Sequence, residues 1–133
     1  DEAGGQFTLP RDIINATCNN FYDMPKHAIK EGTYCCGGGG GLLTDDLMEL
    51  RVKGALPRME ALKNVTENNG VTHMAAICAI CKSQFSKVLP YYGFEMDQIV
   101  SVHQLVSNAI ILTKDEDSVT DNEAEADDAV AVA

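Results

Sequence analysis

The sequence contains no tryptophan, and only 6% of its residues are aromatic. It has ten basic side chains against twenty acidic ones, so the formal net charge is −10. That balance excludes the basic face on which nucleic-acid binding depends. Apolar runs are short, and none approaches the roughly 20 residues needed to span a bilayer, so direct membrane insertion is not expected. No signal peptide is legible either. The chain begins at Asp1 rather than Met, which is expected of a processed product or of the end of a longer polypeptide.

The negative charge is concentrated at one end. From Lys114 onward eight acids face one lysine, which leaves −3 for residues 1–113. "TKDEDSVTDNEAEADDAVAVA" has no sustained periodicity and reads as a disordered acidic tail over 114–133. Residues 1–113 carry enough apolar sequence for a single domain with a modest core.

Apolar periodicity predicts a short helix over 10–19, a strand at "FYDM" stopped by Pro25, and a second strand ending in "TYCC". Thr44 is an N-cap candidate, with Asp45 and Asp46 in the first turn. The apolar face from Leu47 to Val65 predicts two helices, or one kinked at Gly54 and Pro57, ending at Asn69-Gly70. "VTHMAAI" reads as a buried strand and "CAICKSQFSKVL" as a helix ending at Pro90. A strand near 98–101 and a helix to about 112 complete the order. This alternation predicts an α/β fold, a small layered domain with a partly parallel sheet flanked by helices.

The five cysteines are Cys18, Cys35, Cys36, Cys78 and Cys81. An odd number fits a disulfide framework poorly, whereas an adjacent pair plus C-x-x-C suits metal or redox chemistry in a reducing compartment, here the cytoplasm. In "TYCCGGGGGLL" two sulfurs run straight into five glycines, Gly37 to Gly41. Neighbouring side chains of an extended strand point to opposite faces, so Cys35 and Cys36 reach one centre only if the backbone turns there. The glycines permit that turn, and the bare amides of Gly37, Gly38 and Gly39 can cradle an anionic group. Cys78 and Cys81 open a helix, where free N–H groups favour thiolate over thiol. Both cysteine groups are expected at the C-terminal ends of strands, the edge at which α/β sheets bind ligands. Soft sulfur donors suit iron–sulfur ligation or zinc and not magnesium or calcium. Spacing alone leaves three readings open: an iron–sulfur centre, a zinc-stabilised structural module, and free or redox-active thiols.

The pattern of an upstream cysteine, "CCGGGGG", a long spacer and "CAIC" resembles the cysteine-rich CCG domain of the heterodisulfide reductase catalytic subunit family. "CNNFYDMP" together with "CCGGGGGLL" is similar, more specifically, to the heterodisulfide-reductase-like iron–sulfur subunit of the membrane complex linked to dissimilatory sulfite reduction. The likeness covers about residues 8–112. It implies a noncubane [4Fe–4S] cluster on Cys35, Cys36, Cys78 and Cys81, which reduces or forms a disulfide-type bond. One-electron delivery to such a bond calls for a way to hold the half-reduced substrate, which bonding of one substrate sulfur to iron would supply. The resemblance also implies a small sulfur-carrier protein with redox cysteines, a quinone-linked membrane subunit, and a place on the inner face of the cell membrane through those partners. Relatives in glycolate- or lactate-oxidising complexes suggest a relay role instead.

Cys18 departs from the pattern. Only 16 residues separate it from Cys35, and it falls on a predicted helix. Either it serves as a fifth ligand, or the upstream ligand precedes Asp1 and this chain is the C-terminal part of a longer subunit. The remaining candidates have plainer roles: His73 is expected as a core histidine, and His27 and His103 as loop and helix residues. His27 is the one placed to donate a proton to a leaving thiolate. Tyr34 is expected to pack, Lys82 to be solvated, and Met48, Met59 and Met74 to fill the core.

Overall fold

The computed structural model describes residues 5–110 and 129–132. Four helices and four strands alternate without exception: α1 (Thr8–Thr17), β1 (Asn20–Tyr22), α2 (Met48–Asn69), β2 (His73–Ala76), α3 (Ala79–Val88), β3 (Ile99–Ser101), α4 (Val102–Ala109) and β4 (Ala129–Val132). Every strand pairing is parallel, in the order β1-β4-β2-β3. The expected α/β class and layered architecture are therefore found, and the sheet is parallel throughout.

Strand geometry sorts the core into two halves, because successive side chains point to opposite faces. Met74, Ala76, Ile99 and Ala131 face one way, into a cluster with Ala55, Met59, Leu62 and Val65 of α2 and Phe85 and Val88 of α3. Ala75, Val100 and Val130 face the other way, onto Ile14 of α1 and Val102 of α4. Small residues run down the middle of the sheet. Ala75 and Ala131 are fully buried, which lets helices close on both faces of a sheet only four strands wide.

Three expectations need correction. The tail reading assigned 114–133 to disorder. Residues 111–128 lie outside the described ones, but Ala129–Val132 forms a strand between β1 and β2. "AVAV" is short and follows an acidic run, so nothing local marks it. Its value lies in its position, since Val130 and Ala131 fit a site buried on both faces. "TYCC" is not a strand: residues 33–36 have irregular backbone and join no sheet. Thr44 precedes a short 3-10 turn, Asp45–Leu47, and its side chain makes no capping bond. The helix proper starts at Met48 and continues through Pro57 to Asn69, where Gly70 caps it with φ of 67°. Pro57 is exposed and the helix runs on through it and Gly54, so it is not divided.

Candidate metal centre

Cys78 is the N-cap residue of α3, directly beyond the C-terminal end of β2, and Cys81 lies in the first turn. They occupy the expected sheet edge. The Cys35–Cys36 segment arrives from irregular chain rather than from a strand. Contacts from three buried polar side chains fix it there. Arg58 donates from Nε and Nη2 to the Tyr34 carbonyl at 3.1 and 2.7 Å. Gln84 donates from Nε2 to the Cys36 carbonyl at 3.0 Å and to the Arg51 carbonyl at 3.2 Å. Arg51 in turn donates from Nε to Gln84 Oε1 at 2.7 Å and from Nη1 to the Thr44 carbonyl at 3.2 Å. Loop carbonyls on both sides of the glycine run are thus tied to α2 and α3.

The glycines divide by role. Gly37 has φ of +80°, and a Cβ there would lie 2.9 Å from the Ala55 amide nitrogen and 2.9 Å from the Gly54 carbonyl carbon. A Cβ on Gly54 would lie 3.3 Å from the Gly37 Cα. The two glycines stand back to back where the loop meets α2, which explains a glycine in mid-helix. Gly38 abuts Gln84 and Leu43, whereas Gly39, Gly40 and Gly41 have open space at the Cβ position. The Gly37 amide donates to Cys35 Sγ at 3.4 Å, an amide–sulfur contact of the kind expected of a loop that holds sulfur ligands.

The result is a convergence of both cysteine groups. The Cys81 thiol interacts with the neighbouring Cys36 and Cys78 sulfurs, and the Arg58 guanidinium, held below its ordinary value by burial, is within electrostatic range of Cys81, Cys36 and Cys35. Cys36 is buried, Cys81 half-buried, and Cys35 and Cys78 are exposed. The thiols differ in acidity. The backbone amides of Cys81 and Ile80 hold the Cys78 thiol below its ordinary value, as a helix N-terminus should. Cys81 goes the other way, pushed up to about 12 by burial and by the neighbouring Cys36 and Cys78 sulfurs. The expectation of an acidic thiol at both positions therefore holds for Cys78 alone, because burial, and after it the neighbouring sulfurs, disfavour the charged form of Cys81.

Cys18 is not brought to this group. It caps the C-terminus of α1, with its amide on the Ile14 carbonyl at 2.8 Å and its sulfur 3.8 Å from Thr17 Oγ1. It packs with Phe21 on the α1/α4 face, whereas Cys36 and Cys81 belong to the α2/α3 face. It also precedes β1, while Cys78 follows the parallel strand β2, so the two sit at opposite edges of the sheet.

Of the other candidates, His27 is exposed, with its ring edge-on to Tyr34 at 6.2 Å between centroids. These two rings help line an open cleft of about 270 Å³ with Pro57, Glu60 and Asn64. His73 is half-buried, its Nδ1 3.0 Å from Thr72 Oγ1. His103 is exposed, and Lys82 donates to Gln104 Oε1 at 3.1 Å. Met59 and Met74 are core residues, and Met48 packs against them.

Sequence reading missed Arg51, Arg58 and Gln84. A signal for the arginines was present: they fall in helical register with Ala55, Met59, Leu62 and Val65, so each places a cation on the buried face of α2. A charge there needs a buried partner.

The donor set fits a soft metal centre. Cys81 stands beside Cys36 from the distant loop and beside Cys78, Cys35 adjoins Cys36 in sequence, and thiols are the donors a soft metal takes. Among the described residues no three His, Cys, Asp or Glu side chains are gathered at the spacing of a single metal ion.

No protein-family model matches the chain, and no solved structure matches it. Two curated relatives do. The Hdr-like menaquinol oxidoreductase iron–sulfur subunit 2 of Archaeoglobus fulgidus is 43% identical over 109 residues, 82% of this chain and 20% of the relative. The Hdr-like menaquinol oxidoreductase iron–sulfur subunit of Archaeoglobus profundus is 45% identical over 109 residues, 82% of this chain and 19% of the relative. The chain thus spans about a fifth of the length of the curated relatives it matches. Over the matched residues, the chain is similar to heterodisulfide-reductase-like iron–sulfur subunits.

Proposed function

We propose that this chain is an iron–sulfur redox domain in which Cys35, Cys36, Cys78 and Cys81 hold a [4Fe–4S] cluster of the noncubane type. The observation that carries the reading is the approach of Cys81 to Cys36, two cysteines from segments separated by a spacer of 41 residues between Cys36 and Cys78. Its similarity to relatives named as iron–sulfur subunits of Hdr-like menaquinol oxidoreductases supports it. Bound here, the cluster supplies one-electron transfer to a sulfur–sulfur bond.

The chain's own residues do the rest. Arg51, Arg58 and Gln84 hold the loop that presents Cys35 and Cys36. The exposed Cys35 and Cys78 mark the side from which a partner reaches the centre. The substrate is a disulfide-type bond on a small sulfur-carrier protein with redox cysteines, and the electrons come from a quinone-linked membrane subunit. The overall step balances as menaquinol plus disulfide giving menaquinone plus two thiols, two electrons and two protons passing from one to the other; the reverse step forms the disulfide. No helix among the described residues is long and apolar enough to cross a membrane; attachment at the inner membrane face through partner subunits is part of this proposal.

Anaerobic isolation with iron and sulfide assays tests the cofactor. Broad visible absorption with about four irons per chain is expected. Stoichiometric zinc without colour would overturn the reading in favour of a structural module. EPR of the oxidised protein with and without a thiol substrate separates a catalyst from a relay, since only a catalyst's spectrum changes.

A further inference from the structure

Arg58 is buried, with 4% of its surface exposed. A buried guanidinium is costly unless an anion or a set of acceptors offsets it. Among the described residues no carboxylate forms an ion pair with it: the ion pairs there join Arg11 to Asp23, Arg51 to Asp45, Lys53 to Glu49 and Lys63 to Glu67. It donates twice to one neutral carbonyl, Tyr34 O. That carbonyl belongs to the residue preceding Cys35, so the guanidinium is tethered to the backbone that carries both adjacent cysteines. The remaining groups that could balance its charge are sulfurs. Arg58 is three residues after Ala55, whose backbone touches Gly37, and therefore lies on the helix face against which the cysteine loop is docked.

We propose that Arg58 is the buried counter-cation of the cysteine centre, a positioning residue that sets the charge and hence the reduction potential of whatever those sulfurs hold. This rests on the iron–sulfur reading for its redox consequence. A fixed cation beside the centre stabilises its more negative, reduced state, and desolvation strengthens the effect. Arginine suits the task better than lysine in one respect, because its planar fork holds Tyr34 O with two N–H groups while its charge stays put at any accessible pH. Long-range electrostatic contact with Cys81, Cys36 and Cys35 is consistent with this placement.

The test compares Arg58→Met and Arg58→Lys in the full chain, isolated anaerobically in its native complex, by iron content, EPR-monitored midpoint potential and circular dichroism. Arg58→Met is expected to shift the midpoint to more negative potential or to lose iron, while Arg58→Lys keeps iron and a potential near wild type. An unshifted midpoint in an iron-replete Arg58→Met protein overturns the proposal. So does equal loss of iron or of fold in both variants, which assigns Arg58 to the Tyr34 carbonyl alone. Should the wild-type protein carry zinc and no iron, the iron–sulfur reading fails separately. The counter-cation is then judged by zinc retention, which is reduced in Arg58→Met and kept in Arg58→Lys if the charge matters, and equal in all three proteins if it does not.

Discussion

The side-chain amide of Gln84 reaches from α3 to the carbonyl of Cys36, 3.0 Å away, and so ties the two cysteine segments together. Gln84 is fully buried and lies one turn beyond Cys81 on the same helix. A single side chain therefore sets the register between the loop that carries Cys36 and the helix that carries Cys81. Replacing it with alanine strands the Cys36 carbonyl and the Nε of buried Arg51, and removes a second bond to the Arg51 carbonyl. Leaving buried polar groups unsatisfied predicts a loss on the order of 3 kcal/mol. Urea unfolding of Gln84→Ala measures it, and a change smaller than that of an exposed control such as Ser83→Ala would contradict the role.

The glycine run predicts two different tolerances. Gly37→Ala forces a side chain into positive φ and against the α2 backbone. Strain and overlap together cost on the order of 3 kcal/mol. Gly39→Ala meets no atom within 4 Å and is expected to change stability by no more than about 0.5 kcal/mol. Thermal unfolding of the two variants side by side checks the contrast. Equal effects would mean that the loop does not dock on Gly54.

The cysteines of the metal-free chain should react in a fixed order. Cys78 is exposed and its thiol is held below its ordinary acidity by two backbone amides. Its alkylation by iodoacetamide is expected to be fastest, with a rate that levels off at lower pH than an ordinary thiol's. Cys36 is buried and Cys81 is pushed up to about 12, so both should label slowly. The sign for stability follows from Cys81. Its folded state keeps a proton that the unfolded chain loses from about the ordinary thiol value of 9.0, so metal-free stability falls as pH rises from there toward about 12. Peptide mass spectrometry after timed labelling reads the order, and pH-dependent unfolding of Cys81→Ser, which should lack the alkaline loss, reads the linkage.

Deleting residues 129–133 is expected to disrupt the fold rather than trim a tail. β4 is the strand through which β1 joins β2, and Val130 and Ala131 are buried in opposite halves of the core. Without it, β1 has no partner in the sheet. Circular dichroism and a broad, uncooperative melt would register the loss; a truncated chain that melts like the full one would refute the strand's role.

These contrasts show what the sequence made legible. Elements with a strong local period were found: α3 after Cys78, β2 with its apolar run, and the alternation that predicts parallel layers. The approach of Cys81 to Cys36 agrees with the C-terminal placement of Cys78 and the turn that glycine allows. What was not legible depended on distant partners. β4 is four residues of alanine and valine whose meaning comes entirely from the strands on either side. Residues 33–36 look β-prone, yet Arg58 and Gln84 take the carbonyls of Tyr34 and Cys36 that a strand would have paired. The acidity of Cys81 was misjudged because a helix start is a local feature, whereas the opposing sulfur of Cys36 comes from far along the chain.

Cys18 provides the sharpest separation between resemblance and geometry. The family pattern asks for an upstream cysteine, and Cys18 is the available match in this sequence. Its sulfur, however, rests beside Thr17 on the α1/α4 face and at the opposite edge of the sheet from Cys78. Reaching the other four sulfurs would require α1 to leave the core, where Ile14 is fully buried. Cys18→Ser is therefore expected to keep its full iron content and an unchanged EPR spectrum, with a stability change within about 1 kcal/mol. Cys81→Ser, by contrast, should lose most of its iron, because Cys81 is the sulfur in contact with both Cys36 and Cys78. Iron and sulfide assays on the two serine variants decide the matter: iron loss in Cys18→Ser equal to that in Cys81→Ser would make Cys18 a ligand and require a different arrangement of α1.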